Sequence, residues 1–303
     1  MSMNFTIIIP HKNLPMLLDR LIKSIPNRDD LEVIVVDDHS DKDIVDFEHF
    51  PSKEIKNFLL LSNEGKGGAG CARNYALPYA TGKWILFADS DDFYNSGFND
   101  FLDKYVECKA DVVYFNANSV DSDSFEPSNR ADHLQKFIHE YEQNPKLGET
   151  IMRYFFTEPW CKMIRKSLIE KYYVRFDDTS IHEDVRFSCL IGHYARSIIV
   201  DNHQLYCVTT RLNSLSRTQT HQSYLDELKV FSWWKKLLLD NKVPFELAKF
   251  DFRIYNFSRH LYKDNKLFRE EYRIIKDSGF SHAFIIKHII KYLLKSVRYK
   301  LRV

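Results

Sequence analysis

The stretch KWILFADSDD, residues 83–92, decides how this chain of 303 residues is interpreted. Its first half is apolar and typical of a β-strand, and its second half places Asp89, Asp91 and Asp92 within four positions. Carboxylates this close together repel each other, and a divalent cation shared with phosphate groups is one partner that relieves the repulsion. Acidic residues also favour turns and helix N-termini, so the stretch alone leaves a purely structural role equally open.

The composition is that of an ordinary globular protein and argues against several functional classes. Hydrophobic residues make up 44% and charged residues 28% of the chain, and the net charge is +1 at pH 7. Because so small a net charge creates no strong field, we expect no nucleic-acid partner. The five cysteines lack the paired spacing of a metal site, and we expect reduced thiols in a cytoplasmic protein. We expect neither a signal peptide nor a membrane-spanning segment.

Strand and helix patterns alternate along residues 1–116. The strand patterns cover Phe5–Ile9, Leu31–Val36, Phe58–Leu61, Trp84–Ala88 and Asp111–Phe115. This alternation predicts an α/β fold with a mostly parallel sheet flanked by helices. Residues 117–222 mix short strand and helix patterns, and residues 223–303 are helix-like. We therefore predict a domain over 1–222, divided into halves at residue 116, and a helical C-terminal extension over 223–303.

Polar residues gather where the predicted strands end. Pro10 follows the first strand, Asp37 and Asp38 follow the second, and the glycine-rich segment 63–74 follows the third. The carboxyl ends of parallel strands lie along one edge of the sheet, where ligands bind. Carboxylates there accept hydrogen bonds from a base or a ribose, and glycines let the backbone approach a ligand closely. This co-occurrence favours a nucleotide site over a set of unrelated turns.

Several of these segments, in their order and spacing, resemble the motifs of glycosyltransferase family 2 enzymes with the GT-A fold. The segments are IIIPHKN (7–13), EVIVVDDHS (32–40), NEGKGGAGCARNYAL (63–77), GKWILFADSDD (82–92), and the later stretches at 160–165 and 181–187. The resemblance covers residues 4–216. It implies a GT-A (Rossmann-like) domain that moves a hexose-type sugar from a nucleotide-sugar to a hydroxyl group, and the nucleotide is expected to be UDP. The acceptor would be a glycan or glycolipid in bacterial surface polysaccharide synthesis.

The resemblance also implies which residues bind the nucleotide-sugar. Pro10 and Asp38 match the residues that meet the base. Asp89 opens the acidic motif and belongs to the same binding site. Lys66 and Arg73 carry positive charges in the glycine-rich segment and are candidates for offsetting phosphate charge.

The metal ligands are implied by the same acidic motif. Asp91 matches an acid that touches both the ribose and the metal, and Asp92 matches a second metal-binding acid. The cofactor implied is Mn²⁺ or Mg²⁺, which would bridge the two phosphates. Which of the motif's three acids is the inner-sphere ligand stays open.

A second acidic pair, Glu183 and Asp184, resembles the family's Glu-Asp motif. Asp184 is then the general base that removes the acceptor's proton, and Glu183 supports it or contacts the acceptor. An acidic helix N-terminus is the structural alternative. Acceptor or lid roles are implied for Trp160, Arg211 and Ser214, although Trp160 also fits a core position.

Residues 283–303 have the pattern of a basic amphipathic helix. Lysines and arginines recur at 287, 291, 295, 298 and 302, and apolar residues occupy the positions between them. Such a helix suits an anionic membrane surface, which would place the protein at the inner face of the cell membrane. Packing on Trp233, Trp234 or Phe252, or pairing in a homodimer, explains the same pattern.

Two other functions stay open at this point. A non-catalytic nucleotide-sugar-binding or scaffold protein would keep the same fold, although the intact acids at 89, 91, 92 and 184 argue against it. A nucleotidyltransferase also builds a strand-end site with metal-binding acids. It would need a glycine-rich loop directly after the first strand, and His11-Lys12-Asn13 is not one.

Overall fold

A computed structural model of the chain describes residues 3–48, 50, 55–211, 220–244 and 264–300. The chain forms two compact units. The first comprises Met1–Asp178 and Glu183–Arg217, and the second comprises Thr179–His182 and Thr218–Val303. The domain limits predicted from the sequence, with a boundary after residue 222, stay predictions.

The first unit is built on an eight-stranded sheet with the order β3-β2-β1-β4-β7-β6-β8-β5. The strands are β1 (Phe5–His11), β2 (Leu31–Asp37), β3 (Phe58–Ser62), β4 (Trp84–Phe87), β5 (Phe93–Tyr94), β6 (Val112–Asp121), β7 (Lys162–Arg165) and β8 (Ile198–Thr210). Strands β3, β2, β1 and β4 are parallel to one another, and β6 is parallel to β8. Strand β7 runs antiparallel to both β4 and β6. The α/β prediction is confirmed, with an antiparallel strand at the centre of the sheet.

Helices cover the sheet. They are α1 (Pro15–Ser24), α2 (Ala69–Ala76), α3 (Phe98–Tyr105), α4 (Asp132–Gln143), α5 (Pro145–Tyr154), α6 (Lys166–Lys171) and α7 (Glu183–Tyr194). Pro15 begins α1, where its missing N–H has no helical partner to lose. Every residue of β1 and β4 is buried, as expected of parallel strands with both faces covered.

The strand register brings the polar segments together. Ile8 of β1 lies opposite Ile34 of β2 on one side and Phe87 of β4 on the other. Since these strands are parallel and in step, their carboxyl ends reach the same edge of the sheet. His11 accordingly pairs with Asp37 in the ladder, and Asp89 follows β4 at the same edge.

The second unit contains the helices α8 (His221–Asp240), α9 (Asn265–Asp277) and α10 (His282–Lys300). They enclose a small core formed by Leu228, Ile275, Phe280 and Ile285. The basic C-terminal segment is therefore helical through Lys300, while Phe252 and residues 301–303 lie outside the described residues. In the part of the chain that the structure describes, the helices are all too short or too polar to cross a membrane.

Candidate active site

The ends of β1 and β2 are joined by a buried histidine. The His11 Nδ1 atom lies 3.2 Å from Asp37 Oδ1, and His11 Nε2 accepts a hydrogen bond from the Leu14 amide at 3.2 Å. The proton must therefore sit on Nδ1, where it is donated to Asp37. Burial lowers the pKa of His11, which keeps the ring neutral. This pair holds the two strand ends in a fixed position.

Asp38, the predicted base-contacting acid, is buried and held by two protein donors. Its Oδ1 atom accepts a hydrogen bond from Asn63 Nδ2 at 2.7 Å, and its Oδ2 atom accepts one from the Gly68 amide at 2.7 Å. The same Asn63 accepts a hydrogen bond from the Gly65 amide at 3.1 Å, which ties the glycine-rich segment to β2. Each Asp38 oxygen keeps a further lone pair, so the carboxylate can still accept from a ligand.

Glycine is required at two positions of the glycine-rich segment. Gly68, which precedes α2, has a φ of 128°, a conformation that other residues rarely adopt. A Cβ atom on Gly70 would lie 2.7 Å from Cγ of Glu183 and 3.0 Å from the carbonyl oxygen of Asp177. The bare backbone at Gly70 therefore allows α2 to lie against the first turn of α7.

Arg73 links the two acidic motifs. Its side chain is 3% exposed, and its guanidinium lies 2.6 Å from Asp89 Oδ1 and 3.1 Å from Glu183 Oε1. The guanidinium carbon also lies 5.2 Å from the centre of the Phe176 ring. Burial opposes the charge, but the carboxylates of Asp89, Glu183 and Asp184 outweigh burial and raise the Arg73 pKa. A permanent cation therefore sits between the end of β4 and the start of α7.

Residues 89–92 are called here the DSDD motif, and its remaining two acids differ in exposure. The Asp91 side chain is 24% exposed, and its Oδ2 atom accepts a hydrogen bond from Arg211 at 2.6 Å. Asp92 is 2% exposed and accepts a hydrogen bond from the Thr209 amide at 2.7 Å. Burial and the neighbouring Asp89 raise the pKa of Asp91, and burial, Asp91 and Asp89 raise that of Asp92. Asp92 thus anchors the motif to β8.

The carboxylates of the DSDD motif suit a hard cation whose remaining coordination positions are filled by a bound ligand. Among the described residues, no three His, Cys, Asp or Glu side chains are arranged to hold a metal ion by themselves. Mg²⁺ commonly binds through one or two carboxylates together with substrate phosphates and waters, so a full protein cage is not required. Asp89 and Asp91, 33% and 24% exposed, present carboxylate oxygens for that purpose, whereas Asp92 is enclosed.

Asp184 lies in the first turn of α7, beside Glu183. Burial, Glu183 and Glu158 raise the pKa of Asp184 well above its usual range, and Arg73 partly opposes the increase. Among the described residues, none donates a hydrogen bond to its carboxylate. The side chain is thus available to take up a proton.

Sequence reasoning missed a polar cluster behind Asp184. It is formed by the buried Lys162 and Ser188, the partly buried Glu158, and His133, whose side chain is 40% exposed. Lys162 is fully buried, donates to the Glu158 carbonyl, and lies 3.5 Å from Oγ of Ser188, one turn along α7 from Asp184. The Glu158 carboxylate in turn lies 2.7 Å from Nε2 of His133. Burial lowers the pKa of Lys162 to about 8. A lysine directly after Trp160-Cys161 was the only sequence signal for this cluster.

The other predicted residues fall in different places. Pro10 is buried in β1, and Lys66 lies on the surface, where Nζ is 2.7 Å from Asp178 Oδ1. Trp160 is 5% exposed, and its ring is stacked on Tyr206 with 5.5 Å between centroids. The Tyr206 hydroxyl accepts a hydrogen bond from the Asp89 amide at 2.9 Å, so Trp160 supports the acidic motif from behind. Ser214 lies outside the described residues.

Comparison with known proteins identifies the family. The model of the family described as Glycosyl transferase family 2 matches residues 6–173. The glycosyltransferase GlyG of Streptococcus pneumoniae serotype 4 is 27% identical over 249 residues, which cover 77% of this chain and 79% of GlyG. The poly(ribitol-phosphate) beta-N-acetylglucosaminyltransferase TarS of Staphylococcus aureus is 37% identical over 99 residues, 31% of this chain. The matched region is only 17% of TarS, so the chain spans a small part of that relative.

Solved structures show the same fold at low sequence identity. The crystal structure of TarS residues 1–349 with UDP-GlcNAc has a TM-score of 0.63 and 22% identity, covering 91% of this chain and 80% of that one. The mannosyltransferase PcManGT of Pyrobaculum calidifontis, in complex with GDP-Man and Mn²⁺, has a TM-score of 0.54 and 16% identity, covering 98% and 80%. The expected GT-A fold is therefore confirmed. Because the family model matches more than half of the chain, this protein belongs to glycosyltransferase family 2 and is a glycosyltransferase.

Proposed function

We propose that the protein is an inverting glycosyltransferase that takes a hexose-type sugar from a UDP-sugar. The acceptor in this proposal is a hydroxyl group of a glycan or glycolipid in surface polysaccharide synthesis. Asp184 is the general base, and a divalent metal ion is held at the DSDD motif.

One observation carries this proposal: Arg73 pairs with Asp89 at 2.6 Å and with Glu183 at 3.1 Å. The acids at the end of β4 and the acids at the start of α7 are far apart in the sequence, and the shared guanidinium places them at one site. Such a site offers carboxylates to a diphosphate-bound cation on one side and a base on the other. This is the division of labour that a single displacement at a sugar carbon requires.

In the proposed reaction the acceptor oxygen attacks the anomeric carbon from the face opposite the diphosphate. The new carbon–oxygen bond forms as the bond to the diphosphate oxygen breaks, and the leaving group keeps the electron pair. Configuration at the sugar carbon therefore inverts. Asp184 takes the proton of the acceptor hydroxyl, and its raised pKa suits it because a base works best when its pKa approaches the working pH.

Asp38 and the DSDD motif bind the donor in this proposal. The buried Asp38 carboxylate accepts a hydrogen bond from the base, while Asn63 and Gly68 hold it in place. Asp89 and Asp91 are the more accessible acids and would hold Mn²⁺ or Mg²⁺, with Asp92 as an anchor. When bound, the metal stabilises the negative charge on the departing diphosphate. The UDP-GlcNAc complex of TarS supports the choice of a UDP-sugar donor, and the Mn²⁺ complex of PcManGT supports the choice of a divalent metal.

The test is a donor screen with the purified full chain. Released UDP, GDP and TDP are measured from the corresponding nucleotide-sugars, first with Mn²⁺ and then with EDTA. We expect turnover of a UDP-sugar that stops when the metal is removed. Turnover that survives EDTA would contradict the role given to Asp89 and Asp91. Binding of UDP-sugars without turnover, when candidate glycan acceptors are also supplied, would favour a non-catalytic binding protein.

A further inference from the structure

Helix α10 of the second unit has apolar side chains on two sides. On the inner side, Ile285 is 1% exposed and packs with Leu228, Ile275 and Phe280. On the outer side lie three large apolar residues whose exposed fractions are 51%, 50% and 60%. They are Ile286, Ile290 and Leu294, called here the outer stripe. The small core of this unit therefore explains only one of the two apolar sides.

The spacing of the outer stripe makes it a continuous surface. Its three residues are four positions apart, so they follow one another along the same face of the helix over about 12 Å. Single exposed apolar residues are common on protein surfaces, but a row of large ones marks a contact with a partner or a membrane.

The charge of the helix indicates what that partner is. Between His282 and Lys300 the sequence has five lysines and arginines and neither aspartate nor glutamate. Lys287 is exposed and directly follows Ile286, and the sequence repeats the basic residue at 291, 295 and 298. An exposed apolar row accompanied by cations is the composition of helices that lie in the interface of anionic bilayers.

A second copy of the chain fits this surface less well. A symmetric dimer through the outer stripe would bring the same surface of both protomers together. Lys287 and its counterparts would then approach one another, and like charges at an interface weaken association. Anionic headgroups neutralise those charges instead.

We propose that the outer stripe of α10 inserts into the boundary between headgroups and acyl chains of an anionic lipid bilayer. The side chains of Ile286, Ile290 and Leu294 enter the apolar region, and Lys287 contacts lipid phosphates. The inner side of α10 stays packed on α8 and α9. The helix therefore lies on the membrane and still contributes to the core of the second unit. This goes beyond the proposed sugar transfer, because it adds an anionic lipid surface as a partner of the second unit.

Liposome flotation of the full chain tests the proposal. We expect the protein to float with vesicles of phosphatidylglycerol mixed with phosphatidylcholine, and to float poorly with phosphatidylcholine alone. The double variant Ile286→Asp/Ile290→Asp should lose at least about tenfold in binding to the anionic vesicles. The matched control is Leu239→Asp, because Leu239 is a 41% exposed leucine of the same unit on α8. Circular dichroism checks that each variant keeps its helices.

Three outcomes would overturn the proposal. The double variant could bind as well as the unchanged protein, or the control could lose as much binding as the double variant. The unchanged protein could also fail to float and instead form a dimer that the double variant dissociates, which would assign the stripe to a second copy. Flotation requires no catalysis, so its result is independent of the donor screen.

Discussion

The two edges of the site treat a carboxylate in opposite ways. At the end of β2, Asp38 is enclosed and receives hydrogen bonds from Asn63 and Gly68, both at 2.7 Å. At the start of α7, Asp184 receives none from the described residues, and its pKa is raised by burial and by Glu183 and Glu158. A carboxylate that binds a ligand benefits from donors that fix its position and charge. A carboxylate that must take up a proton is better left without them, because such donors stabilise the ionised form.

The substitution expected to have the largest effect on activity is Asp184→Asn. It keeps the shape of the side chain and removes the base. We expect kcat to fall by about 10²–10⁴-fold, the contribution typical of a general base. Binding of UDP should be almost unchanged, because Asp38 and the DSDD motif are intact. Rates of sugar transfer and UDP binding by calorimetry measure the two effects.

The control for this variant is Asp178→Asn, since Asp178 is a 62% exposed acid close by in the sequence that pairs with Lys66 at the surface. It should change kcat little. Transfer at the normal rate by the Asp184 variant would show that the base has been wrongly assigned.

On the other edge, Asp38→Asn tests the binding carboxylate. The amide cannot accept from Asn63, Gly68 and a base N–H as the carboxylate does, so we expect donor affinity to weaken by about 10–100-fold. The effect should appear in KM for the donor much more than in kcat, which distinguishes it from Asp184→Asn. Asp41→Asn serves as the control, because Asp41 is an exposed acid three residues further along the chain. A fall in kcat with KM unchanged would contradict a binding role for Asp38.

A smaller effect, visible mainly in the pH profile, is expected from Lys162→Met. The charges of Lys162 and Asp184 attract each other, so the ammonium favours the ionised form of Asp184. Removal of the ammonium should therefore raise the pKa of that base further. A base must be deprotonated to act, and the acid limb of kcat/KM should therefore move to higher pH. At pH values on the acid limb the variant should be less active than the unchanged protein. At pH values well above the limb the two proteins should have the same kcat/KM.

Lys166→Met in α6 is the control for this profile, since Lys166 pairs with Glu170 of the same helix at 3.3 Å. Thermal unfolding of both variants separates a loss of stability from a shift of the profile. An acid limb that stays in place would show that Lys162 has a structural role alone.

The parts of the fold that the sequence predicts best are those with a continuous local pattern. The second strand was expected at Leu31–Val36 and is found at Leu31–Asp37, because β-branched residues follow one another there. Strand β7 was not predicted, since Lys162–Arg165 has only four residues and no alternation. Its place between β4 and β6 depends on antiparallel contacts with distant segments, which no local pattern records.

The candidate site likewise has parts that the sequence predicts and parts that it does not. Four polar segments at the ends of successive strands predicted one edge, because parallel register alone brings such ends together. The pairing of Arg73 with Glu183 was not foreseen, since it depends on how closely α2 approaches α7 at Gly70. Asn63 stands at the head of the glycine-rich segment, but its hydrogen bond to Asp38 could be seen only in three dimensions.

The shared guanidinium of Arg73 also limits how this sequence can change over time. Neutralising Asp89 alone leaves Arg73 buried with Glu183 as its single hydrogen-bonded acid, and neutralising Arg73 alone leaves two carboxylates facing each other. Either substitution by itself lowers the stability of the folded chain, and it lowers stability less when the other substitution is already present. Positions 73, 89 and 183 are therefore expected to vary together in descendants of this chain, as an epistatic set, whereas the exposed pair of Lys66 and Asp178 is under a weaker constraint.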